Sequence, residues 1–198
     1  MERNRLRAIF SKATVGIAGA GGLGSNCAVS LVRAGVRRLV IADFDKVTGP
    51  NLDRQFYFLA QVGEFKVDAL AANLAAIDPE ARISAHRLRI DPEAARRLFA
   101  GCDIIVEALD DAGAKAMLIE TCLEAFPKAH VVAASGLAGL GRFEAIKVIH
   151  RGRLHLCGDF ESEVAPNMPP VAARVGIVAN LEADIVLQLI LDEEERGQ

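Results

Sequence analysis

The stretch VGIAGAGGLGS, residues 15–25, decides the fold of this chain. Its apolar beginning predicts a buried β-strand, and its glycines predict a tight turn that leads into a helix. Glycines allow the backbone to come close to a ligand, and the free N–H groups at the start of a helix attract an anion. The stretch therefore predicts a phosphate-binding loop.

A second apolar run, residues 38–42, predicts the next strand and leads directly to Asp43. This acid follows the glycine loop by about twenty residues, where an acidic side chain hydrogen-bonds the ribose hydroxyls of a bound nucleotide. The loop and the acid together predict a nucleotide ligand.

The remaining chain alternates helices and strands up to residue 134 and then changes to a hairpin pattern. Such alternation predicts an α/β fold, a Rossmann-like, doubly wound and mostly parallel sheet with helices on both faces. An antiparallel hairpin is expected to extend the sheet. The predicted helices are 1–14, 22–34, 66–77, 92–99, 112–126 and 174–191, the later strands are 82–88, 103–109 and 130–134, and the hairpin strands are 143–149 and 153–157.

The connection of residues 44–63 is long for a compact α/β fold and is rich in polar and aromatic side chains. Loops of this length are usually functional or disordered, and the run FYFL at residues 56–59 favours order. Arg54 and Lys66 taken singly are typical of surface cations. Because the connection begins at the sheet edge that carries the glycine loop, its cations are placed to fold over bound phosphates.

Two further strands end in polar residues, Asp110-Asp111 and Ser135-Gly136. The carboxyl ends of parallel strands share one edge, and ligands bind there where the strand order reverses. We therefore expect Asp110 in the same crevice as the glycine loop and Asp43. The residues alone leave two roles open for Asp110, a ligand of the site or a cap of the following helix.

The totals favour one domain, residues 1–198. The chain of 198 residues is 52% hydrophobic with a net charge of −3, and its mean hydropathy is +0.25. These values suit a sheet covered on both faces or a chain that buries surface in an oligomer. No basic surface is indicated, so nucleic acid is not expected as a partner.

The four cysteines are widely spaced and form no C-x-x-C pair, which predicts a cytoplasmic, reduced protein without a disulfide framework or a zinc site. The charged N-terminus lacks the apolar core of a signal peptide, and no run is long enough to span a bilayer, so no membrane association is expected. The four histidines stand singly in predicted strands or turns and are interpreted as structural or exposed.

Four motifs together resemble a family. GAGGLGS at 19–25, ADFDKVTGPNLDRQ at 42–55, VGEFKVDAL at 62–70 and EALDD at 107–111 resemble the adenylyltransferases that activate ubiquitin-like sulfur carrier proteins, the ThiF and MoeB type related to ubiquitin-activating enzymes. The closing VGIVANLEADIVLQLIL also looks like that family. The short length looks most like the small ThiF variant of thiamine biosynthesis.

The resemblance implies a role for particular residues. The catalytic set would be Arg54, Lys66 and Asp110, with Asp110 also holding Mg²⁺. The residues expected to bind ATP are Gly19, Gly21, Gly22, Gly24, Asp43, Asp45, Asn51 and Gln55.

The resemblance also implies the reaction and its partners. The C-terminal glycine carboxylate of a carrier protein ending in Gly-Gly would attack the α-phosphate of ATP, pyrophosphate would leave, and an acyl-adenylate would form. Arg54, Lys66 and Mg²⁺ would offset the developing charge. A homodimer is implied, in which an N-terminal arginine, Arg3, Arg5 or Arg7, reaches the neighbouring site.

The chain departs from longer relatives in two ways. It lacks their paired C-x-x-C motifs, so no zinc is expected. It also lacks a cysteine near residues 165–168 for a sulfur stage; Cys157 is the nearest candidate and is interpreted rather as a small buried hydrophobe.

Three rival functions are compatible with parts of the sequence. A nicotinamide-dependent oxidoreductase would use the glycine loop and Asp43 equally well, but leaves Arg54, Gln55 and Lys66 unexplained. A related enzyme could adenylate a small-molecule or tRNA-linked carboxylate, and the low positive charge argues against tRNA. A non-enzymatic nucleotide-binding protein would not need Arg54, Lys66 and Asp110.

Overall fold

The structure is a computed structural model and describes residues 2–196. Its centre is a seven-stranded sheet in the order β3-β2-β1-β4-β5-β7-β6. Six strands are parallel, and β6 alone runs antiparallel to its neighbour β7. The strands are β1 Thr14–Ala18, β2 Arg38–Ala42, β3 Arg82–His86, β4 Ile104–Glu107, β5 His130–Ala134, β6 Lys147–Arg151 and β7 Leu154–Gly158.

Helices cover both faces of this sheet, as a parallel sheet requires. The helices are α1 Arg3–Phe10, α2 Gly22–Ala34, α3 Lys66–Ile77, α4 Pro92–Leu98, α5 Ala112–Ala125 and α6 Ala172–Arg196. One apolar core lies between the sheet and α1, α2, α3 and α6. A second core lies between the opposite face and α4 and α5. The predicted α/β fold with a hairpin extension is confirmed.

The central strand β1 illustrates how the sequence shapes the packing. Its alternate side chains Val15 and Ile17 are fully buried in the first core. Gly16 between them faces the second core, where a Cβ would come within 2.6 Å of the Phe99 ring. The missing side chain therefore lets the aromatic ring after α4 pack directly on the sheet.

Three strands differ from the predictions by two residues or more at one end, and each of these shifts has a local cause; β7 is displaced by a single residue. β3 ends at His86 because the chain turns there, with the Leu88 N–H donating to the His86 carbonyl. β4 ends at Glu107 because the Leu109 N–H is bonded to the Glu107 side chain. The first hairpin strand was predicted over 143–149, but Phe143–Ala145 forms a 3-10 turn and β6 begins at Lys147.

The helix predictions are nearly correct, and the differences lie at the ends. α1 is shorter than the predicted 1–14 because β1 already begins at Thr14. α6 is longer than the predicted 174–191 and buries one stripe of its surface. That stripe includes Arg174 and Glu182, two charged residues that the apolar pattern did not mark as buried. Among residues 2–196, no helix is long and apolar enough to cross a membrane.

The strand order reverses at β1. Its two neighbours are β2, which continues towards β3, and β4, which continues towards β5. The turns that follow β1 and β4 lead to helices on opposite faces of the sheet, α2 and α5, which is the arrangement that places a ligand crevice at the carboxyl edge.

Candidate active site

The glycine loop after β1 is built for close packing on two sides. A Cβ on Gly24 would overlap the Gly19 carbonyl oxygen, and a Cβ on Gly19, whose φ is +98°, would overlap the Ala108 carbonyl after β4. These two glycines therefore close the loop against its own strand and against the β4 turn. Gly21 differs, because within residues 2–196 the atom that its Cβ position would meet is Gln55 Nε2, 3.9 Å away.

Gly22 begins α2 and lies under two other elements. A Cβ there would lie 3.0 Å from Val175 Cγ1 on α6 and 3.8 Å from Arg54 Cγ. The start of α6 and the stem of Arg54 therefore flank the start of α2, where free N–H groups favour an anion.

Asp43 follows β2 and is joined to the glycine loop. Its Oδ2 accepts a hydrogen bond from the Ala20 N–H at 2.7 Å, and its Oδ1 accepts one from the Asp45 N–H at 2.7 Å. Each carboxylate oxygen has a second lone pair. The acid is therefore fixed in place and retains the capacity to accept hydrogen bonds from ribose hydroxyls.

Lys66 is the first residue of α3 and is buried, with 6% of the residue exposed. Its Nζ lies 2.8 Å from Asp45 Oδ2, and the Asp45 side chain is 46% exposed. The structure thus brings together two residues that the sequence assigned separately to the site. A partner this exposed holds the ammonium loosely, because water can replace it.

The 3-10 turn Gly49–Asp53 carries Asn51 and leads into Arg54, whose stem lies beside Gly22 of the glycine loop. Asn51 Oδ1 accepts the Thr48 N–H at 3.0 Å, so this side chain caps the turn. The Arg54 guanidinium contacts Asp53 Oδ1 at 2.7 Å and the Pro50 carbonyl at 3.3 Å. Asn51 is therefore used structurally, while Arg54 is held by an exposed carboxylate.

Gln55 carries an unusual buried atom. Its Oε1 is buried without a hydrogen-bond partner among residues 2–196, and its Nε2 is the atom that faces Gly21. A buried, unpaired acceptor costs about 1–3 kcal/mol unless something satisfies it. The amide is therefore placed to contact a ligand or an ordered water beside the loop.

Three residues that the sequence analysis did not single out tie the connection to the loop. Tyr57 donates its buried hydroxyl to the Ala20 carbonyl at 2.6 Å. Ser25 Oγ accepts the Phe56 N–H at 3.0 Å, and Asn26 Nδ2 donates to the Arg54 carbonyl at 2.9 Å. A tyrosine inside an apolar run was the available signal, because a buried hydroxyl needs a partner.

Asp110 and Asp111 have different roles. Asp111 is the N-cap of α5, and its Oδ1 accepts the Ala114 N–H at 2.8 Å. Asp110 is exposed in the turn before α5 and has no hydrogen-bonded or charged partner within residues 2–196. The interpretation of Asp110 as the helix cap is therefore wrong.

Comparisons with known proteins identify the family of this chain. The ThiF family profile matches residues 3–198. The chain belongs to the ThiF family. The resemblance inferred from the four motifs is thereby confirmed.

Two curated relatives show how far the similarity extends. A tRNA threonylcarbamoyladenosine dehydratase of Bacillus subtilis is 36% identical over 117 residues, which cover 58% of this chain and 46% of that protein. The adenylyltransferase and sulfurtransferase UBA4 of Candida glabrata is 30% identical over 192 residues, 92% of this chain and 43% of that protein. The chain spans less than half the length of these two relatives.

A solved structure has the same fold. The E. coli tRNA N6-threonylcarbamoyladenosine dehydratase TcdA, in complex with ATP, superposes with a TM-score of 0.88 at 20% identity. The match covers 98% of this chain and 92% of that chain. It confirms the fold of this ThiF-family chain.

A second polar cluster lies beneath the crevice and was missed. Glu107 at the end of β4 and Glu182 on α6 are both fully buried, and Lys115 on α5 is ion-paired with Glu107. Burial, opposed by Lys115, raises the pKa of Glu107. Burial, reinforced by the charge of Glu107, raises the pKa of Glu182 well above its usual range.

A third buried charge holds the loops beside α6. Arg174 is ion-paired with Asp159 after β7 and also donates to the Gly141 carbonyl. Burial alone would raise the pKa of Asp159, but hydrogen bonds from Ser162, Glu161 and Arg174 lower it to about 2. The loops after β5 and β7 are thereby fixed to the start of α6.

The histidines are structural or exposed, as interpreted, but three of the four do not stand singly. His130 Nδ1 lies 2.9 Å from His155 Nε2, and His155 Nδ1 lies 2.6 Å from His150 Nδ1. Burial, together with His130 and His150, lowers the pKa of His155 to about 4. These histidines form a hydrogen-bonded chain across β5, β7 and β6, away from the crevice.

The cysteines and N-terminal arginines bear on two further expectations. Cys157 is fully buried, and burial raises the pKa of its thiol, as suits a packing residue more than a nucleophile. Arg7 is bonded to Asp78 and to the Arg33 carbonyl. Arg3 and Arg5, by contrast, are exposed.

Proposed function

We propose that this ThiF-family chain adenylylates the C-terminal glycine carboxylate of a ubiquitin-like sulfur carrier protein, ThiS-like with a Gly-Gly tail, in thiamine biosynthesis. A carboxylate oxygen of the tail attacks the α-phosphorus of ATP. The bond from that phosphorus to the bridging oxygen of the β-phosphate breaks, and pyrophosphate leaves with the electron pair. The product is an acyl-adenylate, and no side-chain nucleophile takes part.

One observation supports this proposal: the glycine loop and two cations, Arg54 and Lys66, lie together where the strand order reverses. Gly21 leaves space beside the unpaired Gln55 Oε1, and Asp43 keeps acceptor capacity for ribose. Arg54 flanks the start of α2, and Lys66 is bonded to the exposed carboxylate of Asp45. These cations and the α2 N–H groups can neutralise charge that builds on the α-phosphate and on departing pyrophosphate.

Mg²⁺ fits the residues present, although no group of three or more His, Cys, Asp or Glu within residues 2–196 could hold a metal by itself. Proteins commonly bind Mg²⁺ through one or two carboxylates together with substrate phosphates. Asp110, exposed and unpaired at the crevice edge, would be that carboxylate. When bound, the ion would neutralise phosphate charge.

The proposal extends to the assembly and location of the chain. We expect a cytoplasmic homodimer in which Arg3 or Arg5 reaches the neighbouring crevice, since both are exposed on the first helix.

A related substrate is the second candidate, because a Bacillus subtilis relative and a fold neighbour are tRNA threonylcarbamoyladenosine dehydratases. The loops next to α6 argue against tRNA here. They carry two exposed acids, Glu161, which pairs with Arg142, and Glu163, beside exposed Val164 and Met168. Phosphate backbones bind basic surfaces, whereas this acidic and apolar surface suits a protein.

Pyrophosphate exchange into ATP tests the proposal. The carrier with an intact Gly-Gly tail should support exchange, and the same carrier without its last glycine should not. Exchange should collapse in Arg54→Ala and in Asp110→Ala. Absence of exchange with every Gly-Gly carrier, accompanied by tight NAD binding, would favour the oxidoreductase alternative, and ATP turnover that needs modified tRNA would favour the second candidate.

A further inference from the structure

The turn from β4 to α5 carries Asp110 and is braced from inside by Glu107. The Glu107 side chain is fully buried. Its Oε1 accepts the Leu109 N–H at 2.7 Å, and its Oε2 is ion-paired with Lys115 Nζ. One carboxylate therefore connects the last residue of the strand, the backbone next to Asp110 and the second turn of α5.

The same turn is held at its two ends. The Ala108 N–H donates to the Ala18 carbonyl at 2.8 Å, and Asp111 caps α5. The Ala108 carbonyl also fills the space where a Gly19 side chain would lie. Leu109 is the one position between these ends whose N–H is fixed by a side chain, and that side chain is Glu107.

Two helices place charged side chains beside Glu107. Lys115 on α5 pairs with it, and Glu182 on α6 lies close enough to interact with its charge. Cys27 on α2 and Cys157 on β7 interact with Glu182. Both oxygens of Glu182 are buried without a hydrogen-bond partner in residues 2–196. A protonated Glu182 leaves Glu107 and Lys115 as a neutral pair.

We propose that the Glu107 and Lys115 pair is a positioning device for Asp110. The pair fixes the Leu109 N–H, and this fixes the direction in which the next residue presents its carboxylate to metal-bound ATP. The inference rests on the proposed function for the use of Asp110. It adds two positioning residues, neither of which touches the substrate.

A purely structural ion pair would behave differently. A buried ion pair can often be replaced by apolar residues of similar volume without loss of stability. Two apolar residues cannot accept the Leu109 N–H. An apolar pair at 107 and 115 would therefore restore folding while leaving the Asp110 turn without its brace, and this separates the two roles.

The experiment measures equilibrium ATP binding against Mg²⁺ concentration, with no carrier present. The variants are Lys115→Met, the double variant Glu107→Leu/Lys115→Met and the conservative Lys115→Arg. Lys12→Met is the matched control, since Lys12 forms an exposed pair with Glu194 remote from the turn. Thermal unfolding is measured on each variant.

Losing a residue that orients a metal ligand lowers metal affinity by about tenfold or more. We therefore expect Lys115→Met and the double variant to need about tenfold more Mg²⁺ for half-maximal ATP binding. Lys115→Arg and Lys12→Met should match the parent chain, and the double variant should regain thermal stability. A folded double variant with the parent Mg²⁺ dependence would overturn the inference, as would a parent chain whose ATP binding ignores Mg²⁺.

This readout is independent of the carrier. If the variants need more Mg²⁺ as expected but the parent chain supports no pyrophosphate exchange, the proposed reaction is rejected and the positioning role is kept. Normal exchange with an unchanged Mg²⁺ dependence in the double variant would reject the positioning role alone.

Discussion

The crevice lining and the layer beneath it hold their charges in opposite ways. Lys66 in the lining is paired with a carboxylate that is 46% exposed. Lys115 in the supporting layer is paired with Glu107, whose side chain is fully buried. Separating a cation from an exposed carboxylate costs little free energy, whereas separating it from a buried carboxylate leaves an uncompensated buried charge and costs much more. The difference separates residues available to a ligand from residues that keep the site in shape.

Removing the charge of Lys115 from the supporting layer is the strongest test of the difference between the two lysines. Lys115→Met leaves Glu107 buried and unpaired, and breaking a buried pair in this way costs about 3–5 kcal/mol of stability. Denaturant unfolding should show a loss in that range. A loss below about 1 kcal/mol, the value for an exposed pair, would show that the two lysines do not differ as described.

The matching change in the lining is Lys66→Met, which keeps the buried stem and removes the charge. Loss of one donor that stabilises developing charge lowers the rate by about 10²–10³-fold. Pyrophosphate exchange should fall by that factor, while the free energy of unfolding should change by less than about 1 kcal/mol. If Lys66→Met keeps the parent rate of pyrophosphate exchange but loses several kcal/mol of unfolding free energy, Lys66 belongs to the supporting layer.

Two glycines extend the comparison to the backbone. Gly24→Ala places a Cβ on the Gly19 carbonyl, and we expect about 2–3 kcal/mol of destabilisation, as for overpacking. Gly21→Ala meets only Gln55 Nε2 at 3.9 Å and should leave stability unchanged while weakening ATP binding. Thermal unfolding and nucleotide titration of the two variants check this contrast, which equal stability losses would contradict.

The chain of three histidines lies away from the crevice, so it should affect stability without affecting ATP binding. The pKa of His155 is about 4 in the fold and about 6.5 when unfolded. Below about pH 6.5 His155 binds a proton in the unfolded chain but not in the folded one. The free energy of unfolding therefore decreases as the pH is lowered from about 6.5 to about 4. We expect a loss of about 2 kcal/mol between pH 7 and pH 5.

The control for this pH dependence is His155→Gln, which should reduce the fall in unfolding free energy between pH 7 and pH 5 to the smaller part that comes from His130, whose pKa burial also lowers. ATP affinity, corrected for the nucleotide's own titration, should respond equally to pH in the parent and in this variant. An unchanged pH slope of stability in the variant would show that the histidine chain is not its source.

Local patterns were sufficient to predict where the glycine loop and Asp43 lie, whereas Lys66 taken singly looked like a surface cation and its catalytic role was implied by the resemblance. The glycine loop, Asp43 and Lys66 lie at strand or helix ends, which short-range periodicity and turn residues mark well. Deciding whether Asp110 or Asp111 caps α5 requires knowing where β4 ends. A shift of one residue in that end would exchange the roles of the two acids. The end of β4 depends on a side-chain bond from Glu107 that periodicity does not show.

The supporting layer could not be predicted in the same way. Glu107, Lys115 and Glu182 come from β4, α5 and α6 and meet only when the sheet is assembled. His130 and His155 meet through pairing of β5 with β7, and His150 through the hairpin. Each looks like a surface residue locally, because a buried charge is recognised only by the partner that compensates it.

Transfer of a heavy oxygen atom tests the central claim most directly. The carrier is prepared with both oxygens of its C-terminal carboxylate labelled and is incubated with ATP and Mg²⁺, and a thiol then releases the acyl group. Attack on the α-phosphorus leaves one labelled oxygen in the AMP that departs, so mass spectrometry should find labelled AMP in the parent chain and almost none in Lys66→Met. AMP that forms without label would contradict carboxylate adenylylation by this crevice.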